Sequence, residues 1–590
     1  GFRGCDNTNM WYNGPYLIEE YIQGNTRSYI PNPSYYGAND VSRFERFTVT
    51  MLSDMSIGYQ LYQNRELDEV DLTESTLTTI TNDPNNEYNS QLCEKRPKKF
   101  SYCFLFNYAR NNADGTPDEN WNKAIANKAF RQCFYKNLEL SPFYARYNKI
   151  NPLKCENDFY TMPGVCYNTK GEEYTTLVAK EMGLDGEAYD GKTMIRMRNG
   201  SGIDDLKKQA MDELTAIGVT FPVKPPFYFV AGNTVAQDNA TVLKQCFTDS
   251  FGDDFIVLDI GTYVSSIYKE VRNVQMHSIL QNGWGADFGD PVNFLGQEVL
   301  GDDNAYYAQT TSWIAAVEAD PKDYQKDLLE RYQEFTDLVT EAKAIVTDTD
   351  ARYAAFAKAE ACMLNNALCI PCLFEVLWCL THVNEYSKIN AMYGPCNYKA
   401  VNWETSQEPY TTVQYEQFAK AFVPSKQNVV ILNTGRSPQL TAVLNKLDEF
   451  DAKYPGASIS LFGYTEWLMY AKYNLERFYK YDTYIPSTFY YNAGNVRTQS
   501  LETSYQRWFH QPMQIALPRF AITGYDHAMF FIQGVKKEGR NFTGDSKRST
   551  YQPVQTPLDF EKTGVKGGYK NKSFMLIHYT FNHQIEAVKY

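Results

Sequence analysis

The spacing of apolar side chains along this chain changes character several times, and each change predicts an element. Residues 1–115 read as strands and turns, with Phe47–Leu52 and Phe100–Phe106 the best strands. The stretch Asn111–Glu119 reads as a loop. A helix is predicted over Asn120–Leu138, where Phe130, Phe134 and Leu138 recur every fourth residue. Ile203, Leu206, Ala210, Leu214 and Ile217 form a second helical stripe, which Gly218 stops. Strand Pro226–Val230, helix Ala236–Phe251 and strand Phe255–Leu258 then alternate as in a sheet with helices packed on it. Further along, Asp320 and Pro321 read as the cap and first turn of a helix carrying Tyr324, Leu328, Tyr332, Phe335 and Leu338. Asp350–Asn365 is predicted as another helix, and Leu368–Leu380 as one buried strand.

The pattern restarts after a junction at residues 422–428. Val429–Leu432 reads as a strand, and Ser437 and Pro438 open a helix with Leu440, Val443, Leu444 and Leu447 on one face. Pro455-Gly456 turns the chain into strand Ser458–Phe462. Asp526 reads as the cap of a helix over 526–538, with Lys536 and Lys537 in its last turn and Gly539 ending it. This succession predicts a doubly wound α/β region.

One segment concentrates chemistry: Gly283-Trp284-Gly285-Ala286-Asp287-Phe288-Gly289-Asp290-Pro291. Its glycines admit close backbone approach, the indole offers an apolar wall, and a carboxylate can pair with an ammonium. The same letters also spell a loop with a capping Asp and turn glycines. Asp290 reads as the cap of the turn into Pro291. The loop Asn433–Ser437 offers amides at a helix start, with Ser437 as a simple cap the favoured reading.

Residues 282–295 resemble the W-x-A-D-Y-x-D-P-x-x-F-L segment of oligopeptide-binding proteins, the solute receptors of peptide ABC importers. Gly14-Pro15-Tyr16, then Asn32–Gly37, Asn64–Asp68 and the stretch Asn127–Gln132 stand in that family's order. The resemblance covers about residues 10–425. It implies lobes of the type II periplasmic-binding fold, lacking the N-terminal portion. It further implies that Asp287 pairs with the α-ammonium of a bound peptide while Gly283, Trp284 and Gly285 shape the pocket. Residues 428–590 resemble the second part of a type I periplasmic-binding fold. Both resemblances begin part-way through their families, so the expectation is two truncated receptors joined near residue 426. The expected division is a sheet-rich part of a first lobe (1–115), an α/β second lobe (116–385), a return segment and junction (386–427), and the type I-like region (428–590).

Composition narrows the function classes. A formal net charge of -13 over 590 residues argues against nucleic acid as a partner. The 12 cysteines are irregularly spaced, and Cys369-Ile370-Pro371-Cys372 sits in an apolar run rather than at a helix start, against a redox or zinc role. Six scattered histidines and the absence of HExxH, GxSxG and P-loop patterns give no catalytic constellation. No apolar run reaches membrane-spanning length. Gly4-Cys5 is similar to a lipid-modified lipoprotein start, though no apolar segment precedes it.

The expectation is a non-enzymatic, periplasmic or cell-surface receptor, lipid-anchored through Cys5, that is a monomer. It captures oligopeptides between its lobes without a cofactor and delivers them to a membrane ABC permease. The 46 tyrosines keep a glycan-binding surface protein open as a rival, beside a structural protein built from receptor folds that no longer bind.

Overall fold

The computed structural model describes residues 7–184, 203–388, 392–394, 400–411 and 420–590, apart from 40, 53, 424, 436, 455 and 566. Cys5 and Pro455, named above, and residue 436 within the Asn433–Ser437 loop lie outside the described residues, as do parts of the 386–427 segment. The chain forms two compact α/β units, Gly1–Gln414 and Tyr415–Tyr590.

In the first unit, the antiparallel sheet beneath the main core has strand Ser101–Phe106 at its centre, between Cys369–Leu373 and Ile279–Trp284. The central strand is buried at five of its six residues, which explains its nearly continuous apolar run. Its register places Tyr102 opposite Gly283 and Ser101 opposite Trp284. A second small sheet pairs Trp378–Thr381 with Glu69–Asp71 on one side and Cys93–Glu94 on the other. The segments leading from one sheet to the other lie side by side. The Lys95 amide donates to the Leu377 carbonyl at 2.8 Å, and that of Lys98 to Glu375 at 3.3 Å.

Several elements depart from the sequence expectation. Residues 1–115 hold helices at Gly58–Gln63 and Glu74–Asn82 beside their strands. The helix expected over 120–138 is two, Glu119–Ala126 and Lys128–Asn137. Asn127 has extended backbone there, and its side chain accepts the Phe130 amide as a fresh cap. The apolar run 368–380 is two strands in different sheets, separated at residues 374–377. The strand expected at Phe255–Leu258 instead spans Asp259–Tyr263, parallel to Pro226–Val230. Phe255, Ile256 and Leu258 are buried in the turn before it, which is why they read as strand. Asp320 ends the helix Ile314–Ala319 instead of starting the next, and the long helix runs Lys326–Ala344.

The second unit has a five-stranded sheet in the order Asn428–Ile431, Ile459–Phe462, Thr483–Ser487, Met575–Tyr579, Ile585–Lys589. The first three strands are parallel and the last two antiparallel, so the sheet is mixed where a doubly wound pattern was expected. Helix Ser437–Lys453 buries Leu440, Leu444 and Leu447 in this unit's core with Trp467 and Phe478. The helix expected over 526–538 runs Phe520–Glu538. Asp526 is therefore not its cap. It lies mid-helix and fully buried, and its carboxylate accepts the amides of Val554, Gln555 and Thr556 and the Tyr551 hydroxyl at 2.7–2.8 Å.

Candidate functional site

The Gly283–Pro291 segment leaves the sheet at Trp284 and turns at once. Asn293, on the short helix Val292–Leu295, sets that corner. Its side-chain oxygen accepts both the Trp284 indole N–H at 2.9 Å and the Asp287 amide at 3.1 Å. Asp290 accepts the Val292 amide at 3.0 Å, the turn cap its sequence position implies. It also forms a two-pronged ion pair with Arg352 at 2.8 and 3.1 Å, a partner 62 residues away. With its backbone pinned, Asp287 projects outward. Its side chain is exposed and makes no hydrogen bond or ion pair among the described residues.

Trp284 stands on an aromatic cluster, edge-on to Tyr307 at 5.4 Å and tilted to Tyr306 at 6.2 Å. The two glycines face this protein's own rings. A Cβ on Gly283 would lie 2.7 Å from the Tyr102 ring, and one on Gly285 2.9 Å from Phe100 and 3.0 Å from the Lys99 side chain. Glycine there lets Tyr102 and Phe100 lie flat across the strand.

Those two rings help line a cavity of about 470 Å³ with Lys95, Arg96, Lys98, Lys99, Glu69, Glu375, Glu385, Lys388 and Trp403. A larger hollow of about 640 Å³ follows one face of the helix Ile203–Ala216 and among the described residues is lined by that helix alone, so it is a weaker candidate. The smaller cavity lies where the paired segments 93–102 and 375–388 come together. Sequence reasoning passed over it. The one available signal was the basic run Lys95-Arg96-Pro97-Lys98-Lys99, whose placement depends on strand pairing across nearly three hundred residues.

Charge in the cavity is organised. Burial opposes ionisation of Glu69, but Lys95 and Lys388 outweigh it and hold its carboxyl at about 2. Lys95 also pairs with Asp71 at 2.5 Å, and Lys388 with Glu385 at 3.1 Å. Lys98 meets Glu375 at 2.8 Å. Arg96 donates to the carbonyls of Glu385 and Lys388, each at 2.6 Å, and faces the Tyr386 ring. The Tyr102 phenol is pushed up, first by burial and then by Glu375. Lys99 differs from these: its ammonium donates to two carbonyls, Gly394 at 2.9 Å and Ala286 at 3.5 Å. Because Ala286 directly precedes Asp287, Lys99 ties the cavity to the Trp284–Asp287 segment.

Cys369 and Cys372 are buried within a strand. No group of three or more His, Cys, Asp or Glu side chains arranged to hold a metal occurs among the described residues. No helix among them is long and apolar enough to cross a membrane.

No protein-family model matches the chain. Among curated proteins it is 22% identical over 395 residues to the oligopeptide-binding protein AliB of Streptococcus pneumoniae, covering 63% of this chain and 58% of AliB. It is also 22% identical over 399 residues to the oligopeptide-binding protein SarA of Streptococcus gordonii, covering 62% and 57%. The chain thus spans less than two thirds of the length of the relatives it matches. Among solved structures it is similar to the substrate-binding domain of an oligopeptide ABC transporter from Bacillus anthracis, with a TM-score of 0.47, 14% identity, and 67% and 65% of the two chains covered.

Proposed function

We propose that this protein is the ligand-capturing receptor of a peptide importer, a non-enzymatic binding protein working outside the cytoplasm. Its similarity to oligopeptide-binding proteins supports this reading. The observation that carries it is Asp287, an exposed carboxylate without a partner among the described residues, on a backbone held by Asn293. A fixed, unpaired carboxylate suits the α-ammonium of a peptide, because its hydrogen-bonding capacity is unspent and its position costs no ordering. Main-chain hydrogen bonding of an extended peptide would supply most of the affinity. Trp284, Gly283 and Gly285 act through the wall they hold. The ligand then passes to a membrane ABC permease after hinge closure.

The finer parts of the reading are a monomer, an anchor at Cys5, and a type I-like character for residues 428–590 joined to a type II-like first part near residue 426. Calorimetry of the full chain with mixtures of short peptides tests the central claim. Heat is expected with free peptides and should vanish when their amino termini are acetylated. No heat with any peptide, together with clear heat from oligosaccharides, would overturn it.

A further inference from the structure

We propose that Lys99 reads a negative charge carried within the first two residues of the bound peptide, which makes the protein selective for ligands with an acidic N-terminal end. The proposal rests on the peptide-binding reading and adds a substrate class to it.

Among the described residues the cavity is lined by five cationic and three anionic side chains, in a protein whose overall charge is strongly negative. Four of the cations have carboxylate neighbours: Lys95 has Glu69 and Asp71, Lys388 has Glu69 and Glu385, Lys98 has Glu375, and Arg96 has Glu385. Lys99 has none among the described residues, although it is only 8% exposed. A buried ammonium normally sits against a carboxylate, because carbonyl dipoles alone offset its desolvation poorly. Its three donors also exceed the two carbonyls it meets, and the longer of those contacts is 3.5 Å.

The position of this ammonium relative to Asp287 sets where on the ligand the anion must be. Lys99 bonds the carbonyl of Ala286, the residue preceding Asp287. Consecutive residues of an extended peptide advance about 3.3 Å. A ligand whose ammonium meets Asp287 would therefore bring only its first or second side chain near Lys99. The Phe100 ring, 5.6 Å from the ammonium, and Tyr102 leave a wall over which an aliphatic stem can lie.

The test is calorimetry of the full chain with pentapeptides Glu-Ala-Ala-Ala-Ala and Ala-Glu-Ala-Ala-Ala, their Gln counterparts, and Ala-Ala-Ala-Ala-Glu. One of the first two should bind about tenfold more tightly than its Gln counterpart, the ratio expected of one charge-assisted hydrogen bond. Lys99→Met should abolish that ratio whatever it does to the affinity for both peptides of a pair, and Lys99→Arg should retain it. Equal binding of Glu and Gln peptides by the unaltered protein overturns the proposal, and that comparison needs no variant to fold. So does an equal loss for both in Lys99→Met, the mark of a purely structural pin. If no peptide of either kind binds, the peptide-receptor reading itself falls.

Discussion

Two aspartates, one in each unit, look alike in sequence and have opposite fates in the fold. Asp287 and Asp526 each stand next to an aromatic residue, Phe288 and Tyr525, and lie close to glycine, and both fit a capping role. Asp526 is sealed inside its unit, where three backbone amides and a phenol converge on it. Asp287 is exposed, and among the described residues its carboxylate has no partner while its amide donates to Asn293. A carboxylate whose acceptor sites are filled by its own protein fixes a loop. One whose acceptor sites are empty, on a fixed backbone, is available for a ligand. Capping propensity cannot separate the two, because it depends on the residue type and its immediate neighbours.

Replacing the sealed carboxylate should have the largest effect. Asp526→Ala orphans three amides, two of them buried, at about 1–3 kcal/mol for each buried one, so the second unit should lose at least ~2 kcal/mol by chemical denaturation. Peptide heats recorded before that unit unfolds should be unchanged. If this variant instead abolished peptide binding while the fold remained intact, the division of labour between the two aspartates would be wrong.

A third carboxyl sharpens the contrast. Glu298 is buried, its carboxylate accepts the Ser312 hydroxyl at 2.6 Å, and burial pushes its carboxyl up to about 8. The unfolded chain releases this proton near the ordinary carboxylate value, whereas the folded chain keeps it to about 8. The folded state therefore binds more protons across that window, and stability from this group falls as pH rises through it. Glu298→Gln should be close to wild type at pH 4.5 and more stable than wild type at pH 8, read as the difference in urea midpoints. Parallel midpoints at both pH values would show that Glu298 is already ionised.

On the exposed side, Asp287→Asn should weaken a free-amine peptide by ~1.5–3 kcal/mol, or about 10- to 150-fold, without moving the unfolding midpoint. A matched loss of stability would place Asp287 with Asp526 as a structural residue. Gly285→Ala should give the smallest change, ~1 kcal/mol in stability with a modest loss of affinity, because its Cβ would displace Phe100 and the end of Lys99. Thermal melting and peptide titration of the same variant check both parts.

What could be read from the sequence follows from how far each cause lies from its effect. The helix Ile203–Ala216, the strand Pro226–Val230 and the helix Thr349–Asn365 are governed by local periodicity, so they were legible to within a few residues. The break at Asn127 was local too, but its cap is hidden within a continuing apolar stripe. The division of 368–380 into two strands was not legible, because the separation is imposed by partners at 101–106, 69–71 and 93–94. Asp526 was misplaced for the same reason: its donors are 25–30 residues away in sequence. At the site, the cluster of Gly, Trp and Asp drew attention to one segment. Its glycines accommodate Tyr102 and Phe100, a fact carried by strand register alone.

The shared oxygen of Asn293 has a practical corollary. It joins an indole and an aspartate through one atom, so a molecule that pulls on the aspartate alters the polarity felt by the ring. With Asp287 as the proposed docking point, Trp284 becomes a native fluorophore beside it, and its emission colour would report arrival of cargo without any added label.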